Sequence, residues 1–175
     1  MSAAWVLLPS AVAVIGCAMV AGLFFTFSDF LMRSFHRADA VAGIEVMQIL
    51  NREIFRSVTM VLLWGMMVLT GALALYGFFF ESGFVADLFL AGAASYLVGV
   101  FAVSFAFNIP MNERLDAMDH RNAEAAAYWQ IYVKRWTSWN YARAFASVAW
   151  AACFLVAGLA LAQAFTRRQR RQERH

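Results

Sequence analysis

The sequence predicts an all-α membrane protein: four transmembrane helices in a bundle, two amphipathic or extended connecting helices, and a weak two-fold internal repeat. Three observations predict it. Of the 175 residues, 63% are hydrophobic and only 14% charged, whereas a water-soluble domain is nearer half apolar and a quarter charged. Four stretches, residues 5–28, 57–80, 88–112 and 144–166, contain no Asp, Glu, Lys or Arg. Each exceeds the roughly 20 residues a helix needs to cross the hydrocarbon core. Inside lipid every backbone polar group must be satisfied within the segment, so runs of this length are helical. Finally, the polar stretch between the first two spans keeps a helical period instead of loop composition.

One domain, residues 1–166, accounts for all four spans, and residues 167–175 form a basic tail. The first apolar run is too long for a cleaved signal and lacks a basic leader or a small-residue cleavage site. The tail, RRQRRQERH, has the density of arginine that holds a span at lipid headgroups. No basic motif interleaved with aromatics suggests nucleic acid, so the bilayer is the expected partner. Orientation and oligomeric state are not set by the sequence. The two connections hold nine basic residues and the tail five, so the positive-inside rule votes both ways.

The first span ends in GLFFTFSDF, where Thr26, Ser28 and Asp29 appear as the helix approaches its end. Asp29 lies one turn from Arg33 and can pair with it, or it can face a wet cavity in the bundle. Residues 38–55 read as a shorter helix with Asp39 as N-cap. Val41, Ile44, Met47, Asn51 and Ile54 recur on one face of it. The second span ends in FFFESG, a turn too short for anything but an antiparallel neighbour. The third span is rich in Ala and Gly, which allow close helix approach in a membrane, and leaves through SFAFNIPMN. Pro110 is expected to kink or end this helix. Asn108 can bond a carbonyl freed by Pro110 or face a cavity, and Asn112 adds a second amide one turn on. Residues 113–122 read as a charged connection before the last helix starts near Asn122.

That last helix carries the most unusual stretch, residues 128–143, YWQIYVKRWTSWNYAR. At about 100° per residue, Trp129, Tyr132, Trp136, Trp139, Asn140 and Arg143 share roughly a quarter of a turn. An interfacial aromatic belt is one reading. A pocket wall is the other, because belt residues need no alignment with a carboxamide and a guanidinium. The candidate site is therefore the bundle mouth on the side of the polar connections. It is expected to hold Ser28, Asp29, Asn51, Asn108, Asn112 and the aromatic stripe, an apolar cavity with a few convergent polar groups.

Familiar catalytic signatures are missing. There is no nucleophile elbow, phosphate loop, HExxH or paired-histidine spacing. Cys17 and Cys153 sit mid-span and read as small hydrophobes. No metal is expected.

The combination GLFFTFSDF, MQILNR, AFNIPMN and RWTSWNYAR resembles the anthrone-oxygenase-like membrane proteins, largely a bacterial family, over roughly residues 22–160. The resemblance implies a four-helix protein of a bacterial inner membrane. Some relatives oxidise an anthrone to an anthraquinone with dioxygen and no evident cofactor. The matching positions are Asn51, Asn108, Asn112, Trp136, Trp139, Asn140 and Arg143. Relatives are expected to carry His after the Trp-Asn pair, where this chain has Tyr141. On this reading a small aromatic phenol or anthrone slides in between the indoles. Asp29, or a water held by Asn140, removes a proton, and Arg143 with the asparagines stabilises the oxyanion. Two other readings use no chemistry: a module that binds a lipid or quinone-like ligand in the same pocket, and a structural membrane subunit.

Overall fold

The computed structural model describes residues 4–173. Among the described residues five helices longer than a single turn carry the fold: α1 (Trp5–Arg37), α2 (Ala40–Glu53), α3 (Val58–Phe80), α4 (Phe84–Asp116) and α5 (Ala123–Gln172). All but α2 are long and apolar enough to cross a membrane, so the protein is an integral membrane protein with an all-α polytopic bundle.

Three of these helices outlast the charge-free runs that define them. At about 1.5 Å per residue the 50 residues of α5 extend roughly 75 Å, more than twice a hydrocarbon core. The ends of α1 and α4 and the first half of α5 therefore continue beyond the apolar runs on the side of the polar connections. There α2 packs against all three to make a helical cap. Asp39 starts α2 as expected, its carboxylate accepting from the Val41 amide at 2.9 Å.

Two cores result. In the membrane half, Val20, Phe24, Met66, Phe89, Tyr96, Trp150 and Phe154 pack between the spans. In the cap, Met32, Ile44, Met47, Leu115, Trp129, Tyr132 and Trp136 form a second cluster. A close helix crossing holds the cap together: a Cβ on Gly43 would lie 2.6 Å from the Phe35 carbonyl oxygen and 3.1 Å from the Trp129 ring.

The α3–α4 connection is as tight as expected. Gly83 takes φ +59°, a left-handed conformation that costs glycine little. From that turn α3 packs along the Phe84–Tyr96 part of α4. The Tyr96 hydroxyl donates to the Leu63 carbonyl at 2.7 Å, and Trp64 meets Phe101 edge-on at 5.3 Å. Past this point the two helices part.

Two local expectations need correction. Of the two outcomes expected at Pro110, a kink or an end, the end is overturned: α4 continues to Asp116. The backbone is π-helical over Leu97–Ala102 and again over Ser104–Asn108, and the wider turns just before Pro110 absorb the missing amide and the ring. Likewise α1 does not stop near Asp29 but passes through a π-helical segment, Phe27–Leu31, and continues. Both halves of the chain thus begin with a long helix containing π turns near its polar end. That common plan accords with the loose internal repeat in the sequence.

Candidate functional site

The parting of α3 and α4 leaves a cavity of about 990 Å³ at the junction of the two cores, at the upper end of the range for small-molecule sites, about 300–1,000 Å³. Phe24, Phe27, Met60, Leu63, Trp64, Phe101 and Phe105 give it apolar walls. On α4, Ile109, Asn112, Glu113 and Asp116 line it at the spacing of one helical face. Its rim is charged: Arg52, Glu53, Arg56, Glu113 and Asp116 surround the opening, and Arg52 pairs with Asp116 at 2.7 Å across the α2 and α4 ends.

The deep wall is polar and runs beside the π turns. Fully buried Asn140 donates to the Phe24 carbonyl of α1, three residues before its π segment, at 2.7 Å. The same Nδ2 donates to the Ser28 hydroxyl at 2.6 Å. In α4, the Ser104 hydroxyl donates to the Val100 carbonyl at 2.6 Å and accepts from Arg143 Nη1 at 3.2 Å. Arg143 Nη2 closes the chain by donating to Asn140 Oδ1 at 2.5 Å. One Asn–Arg pair on α5 thereby ties the π segments of both other long helices together. The guanidinium also lies 4.5 Å from the Phe24 ring centroid and 5.5 Å from that of Trp136, within cation–π range.

Behind this wall the aromatic stripe is stacked. Trp129 and Tyr132 lie 5.5 Å apart at 14°, and Tyr132 and Trp136 6.0 Å apart at 21°. Asn112 Oδ1 receives both polar tips, from the Tyr132 hydroxyl and from Trp136 Nε1, each at 2.7 Å.

Of the eleven residues expected at the site, Asn51, Asn112, Trp136, Asn140 and Arg143 line the cavity, and Ser28 accepts from Asn140 at its back. Three stand behind them. Trp129 and Tyr132 are cap core, and buried Asn108 donates to the Trp136 carbonyl at 3.2 Å, leaving its own Oδ1 without a partner. This resolves Asn108 differently from either alternative: it is a cross-helix tie. The remaining two lie elsewhere. Trp139 stacks on Phe107 at 3.7 Å and 5°, away from the cavity lining. Asp29 is an exposed partner of Arg33 at 3.2 Å, so its carboxylate does not reach the cavity. Here the pairing alternative prevails because the widened turn aims Ser28, not Asp29, at Asn140. Tyr141, at the position where relatives are expected to carry histidine, packs against Phe25 and Phe145, off the cavity.

Sequence reasoning passes over the cavity acids Glu53 and Glu113, the Ser104 relay and Gln48. Buried Gln48 donates from Nε2 to the Leu115 and Met118 carbonyls at 2.8 Å each, fastening α2 to the end of α4. Gln48 does stand at i+4 from Ile44, next to a buried face, which is the one signal available for it.

Fold and site together define a four-span membrane protein with a large, mostly apolar cavity at the level where its spans turn polar. The chain belongs to the anthrone oxygenase family, whose model matches residues 53–153. The match takes in Trp64, Phe101, Ser104, Asn108, Asn112, Glu113, Trp136, Asn140 and Arg143, and so most of the cavity wall. No curated protein and no solved structure matches the chain.

Proposed function

We propose that the cavity binds a small, electron-rich hydroxylated aromatic of the phenol or anthrone type and oxidises it with dioxygen, without a cofactor. The family assignment supports oxygenase chemistry. The observation that carries the reading is the cavity's construction: flat aromatic walls ending on the buried Asn140–Arg143–Ser104 chain. An anthrone has an acidic methylene opposite its carbonyl. Removal of one methylene proton gives an enolate whose oxyanion is met by the Arg143 and Asn112 side chains, preorganised as donors must be to lower a barrier. The enolate reduces dioxygen at the methylene carbon to a hydroperoxide, and loss of water leaves the quinone. Anthrone plus O₂ thus gives anthraquinone plus H₂O.

The proton acceptor in this scheme is Glu113. It lines the cavity, pairs with no cation among the described residues, and follows Asn112, whose side chain is pinned by Tyr132 and Trp136. A carboxylate or a water it holds at this position has access to the bound face. The apolar substrate reaches the cavity from the bilayer through the gap between α3 and α4, where Val58, Val61 and Phe105 are exposed. Helical spans and the family's bacterial character favour a bacterial inner membrane.

Oxygen uptake by the purified protein with 1,8-dihydroxyanthrone tests the proposal. Wild type should consume one O₂ per quinone formed, and Asn140→Ala and Glu113→Gln should each lower the rate by about 10²-fold or more. Uptake no faster than the uncatalysed reaction, with the ligand nonetheless bound, would leave the cavity as a binding module for an aromatic or lipid-like ligand.

A further inference from the structure

Arg143 is a buried cation without an anion. Only 9% of its surface is exposed. The ion pairs among the described residues are Arg33–Asp29 and Arg52–Asp116, both at the periphery. Its two protein acceptors, Asn140 Oδ1 and Ser104 Oγ, are neutral. Aromatic faces of Phe24 and Trp136 fill much of the remaining shell, and these attract a cation without neutralising it. The guanidinium still holds donors in reserve: one hydrogen on each Nη is unclaimed, and the buried Nε–H has no partner.

Nature seldom leaves a buried charge in this state, because taking an ion out of water is costly unless an opposite charge meets it. An ionisable side chain among membrane spans usually marks the partner it awaits. The acids Glu53, Glu113 and Asp116 do not supply one: all three stand on the cavity lining, but none bonds Arg143, and Asp116 is already taken by Arg52. What the reserve donors match is a planar, two-oxygen anion, which a guanidinium holds by two parallel hydrogen bonds. The walls then specify the rest of the molecule, since Phe24, Phe27, Trp64, Phe101 and Trp136 offer flat surfaces suited to fused rings.

We infer that Arg143 is the anion subsite of the cavity and that the ligand is an aromatic carboxylate, held by its carboxylate on the guanidinium with its rings toward Trp64 and Phe101. The inference rests on the cavity being the substrate site of the proposed reaction, and it narrows that substrate class to ring systems bearing a carboxylate; with Arg143 engaged by that group, the enolate oxyanion falls to the Asn112 amide.

Calorimetric titration of the full-length protein in a non-ionic detergent decides it, using 2-naphthoate, its neutral isostere 2-naphthamide and the aliphatic acid dodecanoate. Wild type should bind 2-naphthoate about tenfold or more tightly than 2-naphthamide, and tighter than dodecanoate by a similar factor. Arg143→Gln should abolish the preference for the acid. Equal binding of acid and amide by wild type overturns the inference, and that comparison stands even if Arg143→Gln does not fold. A preference that survives in Arg143→Gln overturns it as well. Dodecanoate binding as tightly as 2-naphthoate overturns the aromatic assignment in favour of a fatty-acid site. Oxygen uptake in the same preparations reads the reaction separately. Acid-selective binding without uptake removes the oxygenase and leaves the subsite, whereas uptake without acid selectivity removes the subsite alone.

Discussion

The two cores of this protein are built from different vocabularies. Between the spans, the membrane core uses Ala13, Cys17, Val20, Met66, Leu73 and Phe154, with few polar tips and few cross-helix side-chain bonds. The cap core uses Tyr128, Trp129, Tyr132 and Trp136, and three of these four polar tips have an acceptor on α4, the Trp129 indole being the exception. The reason is the solvent each faces. In lipid the hydrophobic effect offers little to drive spans together, so they rely on close packing and small residues. The cap meets water and gains from burying large amphipathic rings whose N–H and O–H groups can also be satisfied. The cavity lies where one regime gives way to the other, and it takes apolar walls from the first and anchored polar groups from the second.

If this contrast is right, substitutions should hurt in proportion to how deeply they enter the cap core. Trp129→Ala should cost the most, about 3–5 kcal/mol, as a large ring is deleted from a fully packed stack. Thermal unfolding of the purified protein would show it as the largest drop in midpoint of the series. Gly43→Leu should rank next at about 1–3 kcal/mol, since its side chain meets the Phe35 carbonyl and the Trp129 ring. Asn112→Leu strands the Tyr132 hydroxyl and the Trp136 N–H, at about 1–3 kcal/mol for groups left buried without a partner. Trp139→Ala sharpens the contrast. Trp139 belongs to the same helix and the same sequence stripe, yet it only stacks on half-exposed Phe107. It should lose about 0.5–1.5 kcal/mol, the scale of one aromatic pair. Smallest of all, Asp29→Asn should stay within about 0.5 kcal/mol, as an exposed ion pair permits, and leave oxygen uptake unaltered. A large effect of Asp29→Asn on uptake would put the base back on α1.

Much of this architecture is legible in the sequence because it derives from solvent and period. Charge-free runs locate the four spans, Asp39 marks the start of α2, and the FFFESG turn sets α3 against α4. Helical arithmetic finds the stripe, and within it Asn140 and Arg143 do line the cavity. That arithmetic assumes an unbroken period of about 3.6 residues. The π turns violate it. By adding residues to a turn they rotate the remainder of the helix, so Ser28 turns inward and Asp29 outward, and α4 passes Pro110 without ending. Nor does a quarter-turn arc say which helix sits against which part of it. Trp129 and Tyr132 meet α2 and the cap, Trp136 meets the cavity, and Trp139 meets Phe107 on the flank of α4. Glu53 and Glu113 escape notice for a simpler reason: at helix ends near water an acid is ordinary, and only the parting of α3 and α4 turns these two toward a shared space.

The central claim is that the space between the two cores is the ligand site. A structure of the protein with the product analogue 1,8-dihydroxyanthraquinone tests it most directly. Density for the rings should lie between Trp136 and the Trp64–Phe101 pair, with an oxygen within hydrogen-bonding reach of Arg143 or Asn112. Density on the lipid-facing surface of α3, with the cavity closed by Phe27 and Phe105, would contradict the account.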